Sequence, residues 1–93
     1  MPAEKTRVVA LERTLKALAN RRRLAIVKFL YSKGPASVGS IAEHIRLSIA
    51  ATSRHLRTLD AADLVEYTQV NTTIIYALPK NRHLALDTAL KML

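Results

Sequence analysis

Between positions 8 and 18 the apolar residues Val8, Leu11, Leu15 and Leu18 recur every three or four positions. That spacing puts them on one stripe of a helix over about 5–19. Asn20 is suited to cap a second helix, from Arg21 to about Ser32, whose stripe is Leu24, Val27, Leu30 and Tyr31. Gly34-Pro35 stops it, because glycine allows the left-handed exit and proline cannot continue the helix. Ser37 or Gly39 opens a short third helix with Ile41, Ala42 and Ile45 inward. After Arg46-Leu47-Ser48, Ser48 caps a fourth helix, Ile49 to about Ala61. Its residues divide into two faces. Ile49, Thr52, Leu56 and Leu59 form a packing side, and Ala50, Ser53, Arg54 and Arg57 a small, polar, basic one.

The period then changes. Leu64–Thr68 and Thr72–Leu78 are rich in β-branched and aromatic residues and predict a hairpin, with Gln69-Val70-Asn71 between them. Pro79 ends it and suits the start of a last helix, about 80–93, with Leu86, Leu90 and Leu93 on one stripe and Leu84 nearby. The predicted fold is mainly α with a β-hairpin, in a single domain over 1–93. A helix-turn-helix occupies about 37–61, a wing about 64–78, and terminal helices 5–19 and 80–93. A hairpin directly after the second helix of such a unit makes it the winged variant.

Composition narrows the function. Fifteen Lys and Arg against seven Asp and Glu give a net charge of +8, and residues 1–28 alone hold eight bases and two acids. Such an excess attracts polyanions, although solubility alone also accounts for basic charge. The absence of cysteine excludes disulfides, thiolate nucleophiles and cysteine–metal sites. No apolar run reaches a membrane span, and the N-terminal stretch Met1–Lys5 lacks a signal segment, so a soluble, cytoplasmic protein is expected. No paired acids, His–nucleophile set or phosphate-cradling glycine loop is present, which argues against an enzyme.

In a helix-turn-helix, the second helix enters the major groove. The residues this places at base edges are Ala50, Ser53, Arg54 and Arg57, where arginine suits guanine and alanine touches only thymine methyls. Arg21, Arg22 and Arg23 stand at a helix start, where positive charge opposes the macrodipole, so phosphate contact is their expected benefit. The alternative for Arg23 is an ion pair with Glu43 or Asp60. Ser48 caps its helix and can also donate to phosphate, and His55 packs beside Leu56 with an edge toward phosphate. A chain of 93 residues covers few apolar stripes, so Val8, Leu11, Leu15, Leu18, Leu86, Leu90 and Leu93 are the expected dimer interface, the alternative being that both stripes pack within the monomer.

These segments resemble the ArsR family of winged-helix repressors. Leu15–Val27 resembles its opening motif, Val38–Ile45 its third helix, and Leu47-Ser48 with Ser53–Leu59 its reading helix. Ala62–Val65 and Ile74–Leu78 match around the wing, so the resemblance covers about 15–78. It implies a symmetric dimer that binds double-stranded DNA as a transcription regulator. Departures are specific. Metal-sensing members carry a cysteine pair where this chain has Ser37-Val38-Gly39-Ser40. Others bind metal through Asp and His ligands on the last helix, where only His83 and Asp87 are found, so no metal or other cofactor is expected. The wing tip, with Gln69, Asn71 and Thr72, is uncharged. The expected function is a homodimeric, sequence-specific repressor acting by operator occlusion, its effector unknown. The alternative is a winged-helix protein-interaction module with weak, sequence-indifferent DNA binding.

Overall fold

The computed structural model describes residues 2–93; Met1 lies outside them. Among the described residues, five helices and three short strands follow one another: α1 (Pro2–Leu18), α2 (Arg21–Lys33), β1 (Ala36–Ser37), α3 (Val38–Ile45), α4 (Ile49–Ala61), β2 (Glu66–Val70), β3 (Thr73–Ala77) and α5 (Leu84–Met92). Local chemistry sets most of the boundaries. The Asn20 side chain accepts from the Arg22 and Arg23 amides, and Ser37 and Ser48 accept from the amides of Ser40 and Ala51. Gly34, at φ 83°, closes α2 with its amide on the Leu30 carbonyl.

The core forms where α2, α3 and α4 meet. Ile26, Val27, Ile41, Leu56, Leu59 and Leu64 are fully buried there, with Leu30, Ile45, Val65 and Tyr76 around them. The three antiparallel strands lie in the order β1-β3-β2. β1 pairs Ala36 with Tyr76 and Ser37 with Ile75, a strand too short to leave a period in the sequence. The hairpin itself has a two-residue loop, Asn71-Thr72, with Asn71 at φ 58°. Asparagine tolerates that left-handed backbone better than most residues. Leu64 and Val65, expected in the first strand, are instead buried in the connection before it.

Three further expectations change. Pro79 does not open the last helix; α5 begins at Leu84, capped by His83, whose Nδ1 accepts from the Ala85 amide at 3.0 Å. Tyr31 does not join the α2 stripe inward. It is exposed, with the Arg82 guanidinium 5.4 Å over its ring. Leu18, Leu86 and Leu90 are buried in the monomer's own core, because α1 and α5 pack against each other and α5 also packs against α2. They therefore leave the list of open interface residues. Val8, Leu11, Leu15 and Leu93 stay exposed, joined by Leu84 and Met92 at 78% and 81% exposure.

Candidate nucleic-acid interface

Helix α4 is built by its inner face. Thr52, Leu56 and Leu59 are buried against α2 and α3, which leaves Ala50, Arg54 and Arg57 exposed on the opposite side and Ser53 half-buried at its edge. The four residues expected at base edges thus share one open surface. Ile49 departs from its expected place. It belongs to the packing stripe by period, yet it is 62% exposed, because as the first residue of α4 it projects past the end of the core. The surface therefore begins with two apolar side chains, Ile49 and Ala50.

Two backbone devices aim α4. Arg46 closes α3 in the left-handed conformation (φ 56°), its amide reaching the Ala42 and Glu43 carbonyls, which makes the turn tight. Ser48 then starts α4, its Oγ accepting from the Ala51 amide at 3.1 Å. Ser48 itself remains exposed.

The three arginines at the start of α2 have different tasks. Arg21 is exposed. Arg22 is exposed too, but its Nη1 donates to the Ile45 carbonyl at 3.1 Å, tying α2 to the end of α3. Arg23 is half-buried and turned inward. Its Nε donates to the Ala17 carbonyl at 2.5 Å, its Nη2 to the Lys16 carbonyl at 3.2 Å, and its Nη1 lies 3.2 Å from His55 Nδ1. Its partners are carbonyls and an imidazole, not Glu43 or Asp60. A guanidinium cannot accept, so the His55 ring presents an unprotonated Nδ1 to it. His55 is held below the ordinary histidine pKa by burial first, then by the Arg23, Arg54 and Arg22 charges. Arg23 and His55 are thus held by partners within the protein, whereas Arg21, Arg22 and Ser48 are exposed.

The wing, β2 and β3, follows α4 in the chain, and β3 packs on α3 and β1. The Tyr76 hydroxyl is pushed above its ordinary pKa by burial, by Asp60 of α4 and by Tyr67, while Arg57 acts in the opposite direction. Tyr67 and Tyr76 pack with ring centroids 5.7 Å apart. At the tip, Gln69 Nε2 donates to the Asn71 carbonyl at 3.1 Å, and Gln69, Asn71 and Thr72 are all exposed.

An open apolar groove runs between α1 and α5, lined by Leu11, Leu15, Leu84, Ala85 and Met92 among others. His83 and Asp87 do not converge: His83 caps α5, and Asp87 accepts from Arg82 Nε at 2.6 Å. Among the described residues no group of three or more His, Cys, Asp or Glu is placed to hold a metal ion. No helix among them is long and apolar enough to cross a membrane.

A short helix, a tight turn, a second helix with a basic open face and a hairpin directly after it define a winged helix-turn-helix protein. The family model described as bacterial regulatory protein, arsR family, matches residues 20–67, and the chain belongs to that family. It is 38% identical over 79 residues to the HTH-type transcriptional regulator Rv2034 of Mycobacterium tuberculosis, covering 85% of this chain and 73% of that one. The crystal structure of NolR from Sinorhizobium fredii superposes with a TM-score of 0.83 at 28% identity, over 99% of this chain and 88% of that one. The solution structure of the homodimeric winged helix-turn-helix DNA-binding domain of Mb0332 from Mycobacterium bovis gives 0.81 at 26% identity, over 96% and 79%. The chain is thus a transcriptional regulator of the ArsR type, and its family and fold are not those of an enzyme.

Proposed function

We propose that residues 1–93 act in the cytoplasm as one domain of a symmetric homodimer that binds a near-palindromic site in double-stranded DNA and represses by occluding it. The observation that carries this is the open face of α4, where Ala50, Arg54 and Arg57 are exposed with Ser53 beside them. Arg54 and Arg57 supply paired donors for guanine, and Ile49 and Ala50 supply apolar contact for thymine methyls. Arg21, Arg22 and Ser48 approach phosphates along one flank. Gln69, Asn71 and Thr72 offer hydrogen bonds from the wing but no charge. The second copy covers Val8, Leu11, Leu15, Leu84, Met92 and Leu93, whose exposure on so small a chain marks an interface. The homodimeric state of the Mb0332 domain supports this reading. A two-fold axis there spaces the reading helices by about 34 Å, one turn of DNA.

Mobility-shift titration against duplex DNA tests the proposal. Affinity should fall by a factor of about 10³–10⁵ between roughly 50 and 200 mM salt, as for 6–10 phosphate contacts. A flat response overturns it. One observation favours the protein-interaction alternative: Tyr67, Val70 and Ile74 leave apolar surface exposed on a wing whose tip is uncharged. That alternative predicts a stable hetero-complex and DNA binding indifferent to sequence.

A further inference from the structure

We propose that Arg23 and His55 form a positioning link that fixes the angle of the reading helix α4 against α1, and through α1 against the second copy. This rests on the dimeric, DNA-binding reading above.

The geometry starts from an anomaly of placement. Arg23 sits in the first turn of α2, where a cation opposes the helix dipole. Its guanidinium crosses to the last turn of α1 and donates to the carbonyls of Lys16 and Ala17. Those carbonyls belong to the helix end, which leaves its last acceptors without intrahelical donors. The third nitrogen reaches His55 in the middle of α4. One side chain therefore holds the end of the helix that bears Val8, Leu11 and Leu15 and the middle of the helix that bears Ser53, Arg54 and Arg57. His55 stands directly beside Arg54, so a displacement of its ring displaces the reading residues. Lysine cannot replace this arrangement, because an ammonium lacks the planar fork that serves three acceptors in fixed directions.

The link has a built-in sensitivity. Arg23 has only donors, so a proton on His55 Nδ1 would set donor against donor. The charged groups acting on the ring are Arg22 and Arg23 from α2 and Arg54 from α4, all cations. From α1 the neighbouring charges are Lys16, 3.7 Å from Glu12, and Arg13, 3.7 Å from Asp63. No acid offsets them at the ring, and acidification breaks the link.

Two measurements on the full chain test it. In the first, nitrogen NMR of the histidine rings follows His55 with pH. Its Nδ1 should be unprotonated at neutral pH, and its titration midpoint, low in the parent protein, should rise toward the ordinary histidine value in Arg23→Ala. An Nδ1-protonated ring, or a midpoint indifferent to Arg23, overturns the link. In the second, binding is measured to a selected near-palindrome, to versions with one or two base pairs added between half-sites, and to a single half-site. Arg23→Lys and His55→Ala should bind the single half-site within about twofold of the parent, while the preference for the native spacing falls about tenfold. His55→Asn, whose Oδ1 can stand where Nδ1 stood, should restore that preference. Equal weakening of every duplex, the half-site included, would instead make the two residues phosphate contacts and overturn the proposal. If the parent prefers no sequence and no spacing, the DNA-binding reading fails, and the ring titration still decides the link.

Discussion

Arg22 Nη1 donates to the Ile45 main-chain carbonyl at 3.1 Å, joining the first turn of α2 to the last turn of α3 while the residue stays exposed to a passing phosphate. The same side chain can serve both ends of this arrangement, since a guanidinium carries five donors. Arg22→Ala should lower stability by about 1 kcal/mol in urea unfolding. It should also weaken binding to all duplexes alike and reduce the salt slope by about 1.

Arg54 should behave differently. It lies on the open face of α4 and makes no tertiary anchor of the kind Arg22 makes. Arg54→Ala should leave unfolding almost unchanged and relax discrimination at one guanine by about 1–3 kcal/mol. Binding-site selection with the two variants separates the roles: a narrowed difference between them would remove the distinction between base reading and phosphate contact.

Ile49 and Ala50 present methyl groups at the exposed start of α4, which the proposed function places at the entrance to the groove. Replacing thymine by uracil in the selected site removes the methyl on the DNA side alone. At a contacted position this should cost about 0.8 kcal/mol, close to fourfold in affinity. Ile49→Ala should make the protein less sensitive to the same replacement at that position.

Adjacent leucines of the terminal helices should give opposite results. Leu15 and Leu84 are exposed, so Leu15→Glu or Leu84→Glu should leave the fold intact and convert the dimer to monomer in analytical ultracentrifugation. Leu86 is fully buried. Leu86→Ala should destabilise the protomer itself by about 2–5 kcal/mol in denaturant unfolding.

Burial also predicts a gain. Thr52 is fully buried in α4, and its Oγ1 has no hydrogen-bond partner. A desolvated hydroxyl without a partner is costly, and valine has nearly its shape. Thr52→Val should raise the unfolding free energy by about 1 kcal/mol.

His55 sets a pH dependence of stability. Its folded-state pKa lies below its ordinary value, so the unfolded chain binds the proton more readily. The stabilisation is present in full above the ordinary histidine value near 6.5 and is lost as pH falls through the lowered folded value. Unfolding free energy followed from pH 7.5 downward should show that loss in the parent protein, and His55→Asn should flatten its share of the slope.

Much of this molecule is written locally. Asn20, Ser37 and Ser48 cap helices through their own side chains, and Gly34 supplies a left-handed exit, so three helix starts and one end follow from residues within a turn of each boundary. The 3.6-residue period likewise separates Leu56 and Leu59 from Arg54 and Arg57 without reference to any neighbour. Folding decided what covers each stripe. Leu86 and Leu84 are equally apolar, yet one fills the core and the other faces outward, because the angle at which α5 docks on α1 and α2 is a property of three helices together. The two-residue strand β1 exists only because β3 offers it an edge. Arg23 could not be assigned from its neighbours in the chain, since its third partner lies 32 residues away. Period and capping act over one helical turn, whereas burial and long side-chain contacts depend on which distant elements arrive beside them.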